Sequence, residues 1–112
     1  MATDFTIKEG DRLPEIICNL QDAIGNKVPL TGATVRFILV DKGTGTVKVN
    51  AAATIVNALN GQVKYSWATG DTDTSGSYSA EWEVTFGDGR SETFPNFKNL
   101  NVKVFKDLGG II

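Results

Sequence analysis

The chain has 112 residues, 41% of them hydrophobic, which is enough to bury one core without disulfide or metal staples. Eleven basic and thirteen acidic side chains leave a formal charge of −2, so the bulk electrostatics favour neither nucleic acid nor an anionic membrane surface as a partner. Histidine is absent, which removes the usual proton shuttle, the usual partner of a nucleophilic Ser or Cys, and the commonest transition-metal ligand.

The N-terminus, "MATDFTIKEGDR", is polar where a secretory signal would carry a basic start and an apolar run. No stretch approaches the ~20 apolar residues of a membrane span. These features place folding in a cytosol and predict no membrane partner. Apolar residues recur with a period of two in short runs between glycine and Asx-rich breaks, the pattern of half-buried strands. "FTIK" is a first short strand with Phe5 and Ile7 on one side. "EIICNLQD" sets Ile16, Cys18 and Leu20 on one face; Cys18, the lone cysteine, reads as a small packer and excludes an intramolecular disulfide. "AIGNKVPLTGA" is a long turn. "ATVRFILVD" alternates Val35, Phe37 and Leu39 against Arg36, Ile38 and Val40, so its second face is apolar too and is a candidate contact surface.

"KGTGT" reads as a hairpin turn, "AATIVNA" as a strand and "LNGQ" as an Asn-Gly turn. "QVKYSWA" turns Val63, Tyr65 and Trp67 inward. "GSYSAEWEVTFGDGRSETFP" is the clearest hairpin: Tyr78, Ala80, Trp82, Val84 and Phe86 face in, Ser79, Glu81, Glu83 and Thr85 face out, and Asp88-Gly89 supplies the turn. "NLNVKVFK" places Leu100, Val102 and Val104 on one side, and the chain reaches Ile112 through "DLGGII". The reading is all-β: one immunoglobulin-like antiparallel β-sandwich of about seven to eight strands over residues 1–112, with an eight-stranded barrel as the alternative.

"GDTDTSGS", residues 70–77, begins like a calcium loop, with Asp71, Asp73, Ser75 and Gly76 at the early ligand and turn positions. The position that should hold a bidentate glutamate is Trp82, so half of the cage is missing. The alternative is a structural corner: Gly76 precedes Tyr78, whose hydroxyl would bond an upstream backbone group, while Asp71 and Asp73 would cap the turn's N–H groups. "GTGT" lacks the lysine and helix of a phosphate loop. Glu81, Glu83 and Glu92 could line one sheet face, where a carboxylate pair is the one acid/base device left, but alternating glutamates also keep an outer face soluble. No catalytic, cofactor or metal site is expected. Phe94 and Phe97, in "TFPNFKN", are candidate interface aromatics, with core packing the alternative for both and the favoured role for Phe94; Ile38 and Val40 on the doubly apolar strand and Ile111 and Ile112 in the tail are further interface candidates. The strand and the tail would also suit a homo-oligomer, including a closed ring.

Taken together, "GD-x-LP" at Gly10, Asp11, Leu13 and Pro14, "LTGATV" at 30–35, "G-x-V-x-Y-x-W" from Gly61 to Trp67 and "G-x-Y-x-A-E-W-E-V" from Gly76 to Val84 follow a familiar order. The chain resembles the N-terminal domain of phage baseplate upper proteins, and the resemblance spans nearly all of it. The resemblance implies a non-enzymatic, immunoglobulin-like structural domain of the virion. Such a domain is assembled in the bacterial host cytoplasm and binds other phage structural proteins at the tail. Longer members continue into helical segments and a further domain. A capsid-decoration module and a carbohydrate-binding module stacking sugars on Trp67, Trp82 or Tyr65 are the alternatives.

Overall fold

The computed structural model describes residues 4–96 and 100–108. Within them the chain forms nine strands: β1 (Asp4–Lys8), β2 (Ile16–Asn19), β3 (Thr34–Asp41), β4 (Val47–Ala52), β5 (Thr54–Asn57), β6 (Gln62–Tyr65), β7 (Gly76–Thr85), β8 (Ser91–Phe94) and β9 (Leu100–Phe105). They make two facing sheets. One runs β1-β9-β7-β3-β4, with β8 joining β7 beyond the end of β9; the other is β2-β6-β5.

The alternation of side chains explains the layering. Val35, Phe37 and Leu39 of β3, Tyr78, Ala80, Trp82 and Val84 of β7, and Leu100, Val102 and Val104 of β9 are all buried, and every second residue between them is not. Ile16, Val63 and Tyr65 face them from the smaller sheet. The centre is aromatic. Phe37 stacks on Tyr65 with ring centroids 4.7 Å apart, Trp67 meets both edge-on at 5.6 and 5.5 Å, and Trp82 lies 4.9 Å from Phe37. Each such pair contributes about 0.5–1.5 kcal/mol beyond the area it buries.

The sandwich departs from an all-antiparallel one at its edge, where β1 runs parallel to β9. Periodicity reports which face a residue occupies and carries no signal for the direction of the neighbouring strand. The stretch expected as one strand in "AATIVNA" is divided. β4 ends at Ala52 in the larger sheet, β5 begins at Thr54 in the smaller one, and the Ala53 N–H bonds the Val35 carbonyl at 2.8 Å between them. One residue therefore carries the chain from sheet to sheet. A bulge between Ile55 and Asn57 then turns Val56 outward.

The turns follow their residues. The "KGTGT" hairpin closes with Asp41 N–H to the Thr46 carbonyl at 2.9 Å and Asp41 Oδ1 accepting from Gly43 N–H at 2.7 Å. At the "LNGQ" turn Gly61 has φ 70°, and a Cβ there would lie 2.6 Å from the Val28 carbonyl oxygen, so only glycine fits.

Candidate functional site

The outer face of the larger sheet is one surface that the fold leaves open. Burial of Tyr78, Ala80, Trp82 and Val84 forces Ser79, Glu81 and Glu83 of β7 outward, where each is half-buried between neighbouring strands. Register fixes their company. Glu81 stands opposite Ile38, which on its other side meets Asn50; Val40 lies between Ser79 and Val47. Arg36 stands opposite Glu83 but turns away from it, giving Nε to Asn50 Oδ1 and a terminal nitrogen to the Asn50 carbonyl, both at 2.8 Å. Glu81 and Glu83 consequently have no salt bridge among the described residues. Two carboxylates on the central strand thus flank a small apolar patch made by Ile38, Val40 and Val47. Glu92 does not belong to this group: it pairs with Val84 and so takes the opposite phase, where its Oε2 accepts from Asn96 Nδ2 at 3.0 Å.

Residues 68–75 form a loop strapped from several sides. The Tyr78 hydroxyl donates to the Thr74 carbonyl at 2.6 Å. Asp71 Oδ2 accepts from the Tyr65 hydroxyl at 2.5 Å and from Ala68 N–H at 2.8 Å. Asp73 differs from the capping role expected of it, because its Oδ1 pairs with Lys48 Nζ at 2.6 Å and accepts from the Thr74 hydroxyl at 3.0 Å. The Thr72 hydroxyl, buried, donates to the Asp11 carbonyl at 2.7 Å and ties the loop to the segment after β1. Electrostatics follow these contacts. The Lys48 hydrogen bond, then that of Thr74, holds the Asp73 carboxyl below its ordinary range; burial first and Asp71 second push the Tyr65 hydroxyl well up. Among the described residues no group of three or more His, Cys, Asp or Glu side chains is placed to share a metal ion.

The other sequence candidates separate by burial. Phe94 is 1% exposed, packed in the sheet opposite Trp82, so of its two expected roles the core one holds and the interface one does not, because β8 extends the inward phase of β7. Ile38 and Val40 lie on the open face, half-buried. Phe97, Ile111 and Ile112 fall outside the described residues. Tyr65, Trp67 and Trp82 are at most 5% exposed, which leaves no aromatic platform for a sugar ring on any of the three.

A cleft of about 320 Å³ opens beside β2, lined by Cys18, Leu20, Trp82, Phe94, Asn96 and Leu100. Burial pushes the Cys18 thiol up, weakly opposed by the Trp82 indole next to it. Trp82 Nε1 has no hydrogen-bond partner of ordinary geometry among the described residues, and the soft sulfur of Cys18 is a weak acceptor at best. A neutral thiol in that setting is a packing group and a poor nucleophile.

The sequence profile of the BppU N-terminal domain matches residues 4–108. The chain belongs to this family. As a BppU N-terminal domain it is a phage baseplate structural domain, a class in which catalysis is not the rule. Curated proteins give no match. Among nine solved chains that match is CopC from Methylosinus trichosporium OB3b, with a TM-score of 0.54 and 13% identity over 94% of this chain and 86% of that one. At that identity the likeness concerns the fold alone.

Proposed function

We propose that this domain is a non-enzymatic adaptor of the phage tail baseplate, docking onto neighbouring virion proteins through its loops and through the outer face of the larger sheet. Membership of the baseplate family over residues 4–108 carries the reading. The open face supports it with suitable chemistry: half-buried Ile38 and Val40 next to Glu81 and Glu83, which have no salt bridge among the described residues. A face of that kind suits a partner surface that is apolar at its centre and basic at its flank, since each unpaired carboxylate gains a cation without loss of an internal pair. Assembly takes place in the host cytoplasm, and the finished protein resides in the virion tail.

Immunogold electron microscopy of intact virions, with antibody raised against the purified protein, tests this directly. Label confined to the tail tip is the expected result. Label on the capsid would replace the adaptor reading with head decoration, and unlabelled virions would remove the protein from the particle altogether.

A further inference from the structure

β1 is an end strand of the larger sheet: one edge is paired with β9 and, among the described residues, no strand lies along the other. In an extended strand the N–H and C=O of a residue point to one side and those of the next residue to the other. Glu9 N–H bonds the Phe105 carbonyl of β9 at 2.7 Å, which sets Phe5 and Ile7 toward β9 and Asp4, Thr6 and Lys8 toward the open side. Asp11 N–H reaches the Lys8 carbonyl at 3.1 Å from that open side, in the same phase. The Thr6 N–H and carbonyl and the Lys8 N–H have no partner among the described residues. Next to them runs a groove of about 210 Å³ lined by Thr6, Ile7, Lys8, Leu13, Pro14 and Phe105. Leu13 is 73% exposed there and Phe105 45%.

The residues of β1 read Asp-Phe-Thr-Ile-Lys, with opposite charges placed symmetrically about Thr6. We propose that β1 is a homodimerisation edge: two copies of this chain pair their β1 strands antiparallel about a two-fold axis at Thr6 and join their larger sheets. In that register Thr6 meets Thr6 of the partner subunit, and the pair exchanges both N–H···O bonds. Asp4 stands opposite Lys8 of the partner subunit, and by symmetry the pair occurs twice. Both side chains are exposed on the outer face; Lys8 has no ion pair among the described residues, and Asp4 accepts through Oδ1 from Asn101 Nδ2 at 3.0 Å, leaving Oδ2 open. Phe5 stands opposite Ile7 on the inner face, so the apolar layer continues across the axis. The Asp11 bond to the Lys8 carbonyl competes for the outermost rung, which keeps the pairing short. The segment complements its own reverse in charge as well as in phase, and that selects a second copy as occupant of the edge over an unrelated strand.

Sedimentation equilibrium of the purified chain at rising concentration, with four proteins compared, decides the matter. Wild type is expected to form dimers. Lys8→Asp sets like charges opposite each other at both ends of the pairing and should raise the dissociation constant about tenfold or more. Asp4→Lys combined with Lys8→Asp reverses both charges, restores the complement and should return the dimer. Thr6→Pro removes the central N–H on the open side and should leave a monomer whose circular dichroism matches wild type. A wild-type monomer at the highest concentration, or a dimer untouched by Thr6→Pro in a folded protein, would overturn the proposal.

Discussion

Phe94 sits opposite Trp82 across β7 and β8 with 1% of its surface exposed, so its ring belongs to the core. Truncating it to alanine removes that contact and leaves a cavity, and Phe94→Ala is expected to cost about 3–5 kcal/mol in urea unfolding. A change below about 0.5 kcal/mol, the range of ordinary surface substitutions, would return Phe94 to the surface. Charge at the corner loop gives a second residue-scale expectation. The Lys48 and Thr74 hydrogen bonds lower Asp73, the Ser66 hydroxyl and then Lys64 lower Glu15, and the Asn26 backbone N–H first of all lowers Asp22. A folded pKa below the unfolded one means that the unfolded chain binds more protons in the window between them. The stability these groups supply is therefore complete above the ordinary values, 3.8 for aspartate and 4.5 for glutamate, and fades as pH falls through the lower folded ones. Thermal midpoints followed from about pH 6 down to about pH 2 should drop on the acid side, less steeply for Asp73→Asn than for wild type. Asp73 is exposed and Glu15 and Asp22 are half-buried at the surface, so screening by salt should shrink the effect, most of all at Asp73.

At the scale of elements the turns show how far local chemistry reaches. The Asn60-Gly61 pair marks a turn in the sequence, yet the reason for the glycine is tertiary: the Val28 carbonyl oxygen lies 2.6 Å and the Leu20 carbonyl oxygen 3.0 Å from where a Cβ would sit. Gly61→Ala is expected to cost more than about 1 kcal/mol, through both the positive φ and the backbone collision, and to lower the thermal midpoint by about 4–8 °C or more. An unchanged midpoint would mean that the two chain segments separate freely. The β7 hairpin was legible because alternation, the Asp-Gly turn and the aromatic inward phase agree over ten residues. β4 was not legible. Its sequence, "VKVNAA", carries three small or polar residues after one alternating pair, and its pairing to β3 passes a bulge between Leu39 and Val40.

For the whole molecule, the decisive contrast is between the two faces of the larger sheet: the inner one is filled by the aromatic cluster and the outer one carries Ile38 and Val40 beside Glu81 and Glu83. Reversing both charges with Glu81→Lys and Glu83→Lys should leave the thermal midpoint within a few degrees of wild type, since neither carboxylate has a salt bridge among the described residues. The same variant should assemble poorly into tails, measured as the fraction of protein that co-sediments with purified virions; full incorporation would exclude this face from docking. By itself the sequence determined an all-β chain and the inward phase of β3, β7 and β9 through its period-two pattern, and through composition it excluded histidine-based chemistry and an intramolecular disulfide, because these depend only on residue type and spacing. Tertiary structure alone decided that β1 pairs in parallel with β9, that Arg36 turns to Asn50 and leaves Glu83 without a salt bridge among the described residues, and that Asp73 answers Lys48 from a distant strand. Those outcomes depend on which strands become neighbours, and long-range pairing is fixed by the closing of the whole core, which no local run of residues encodes.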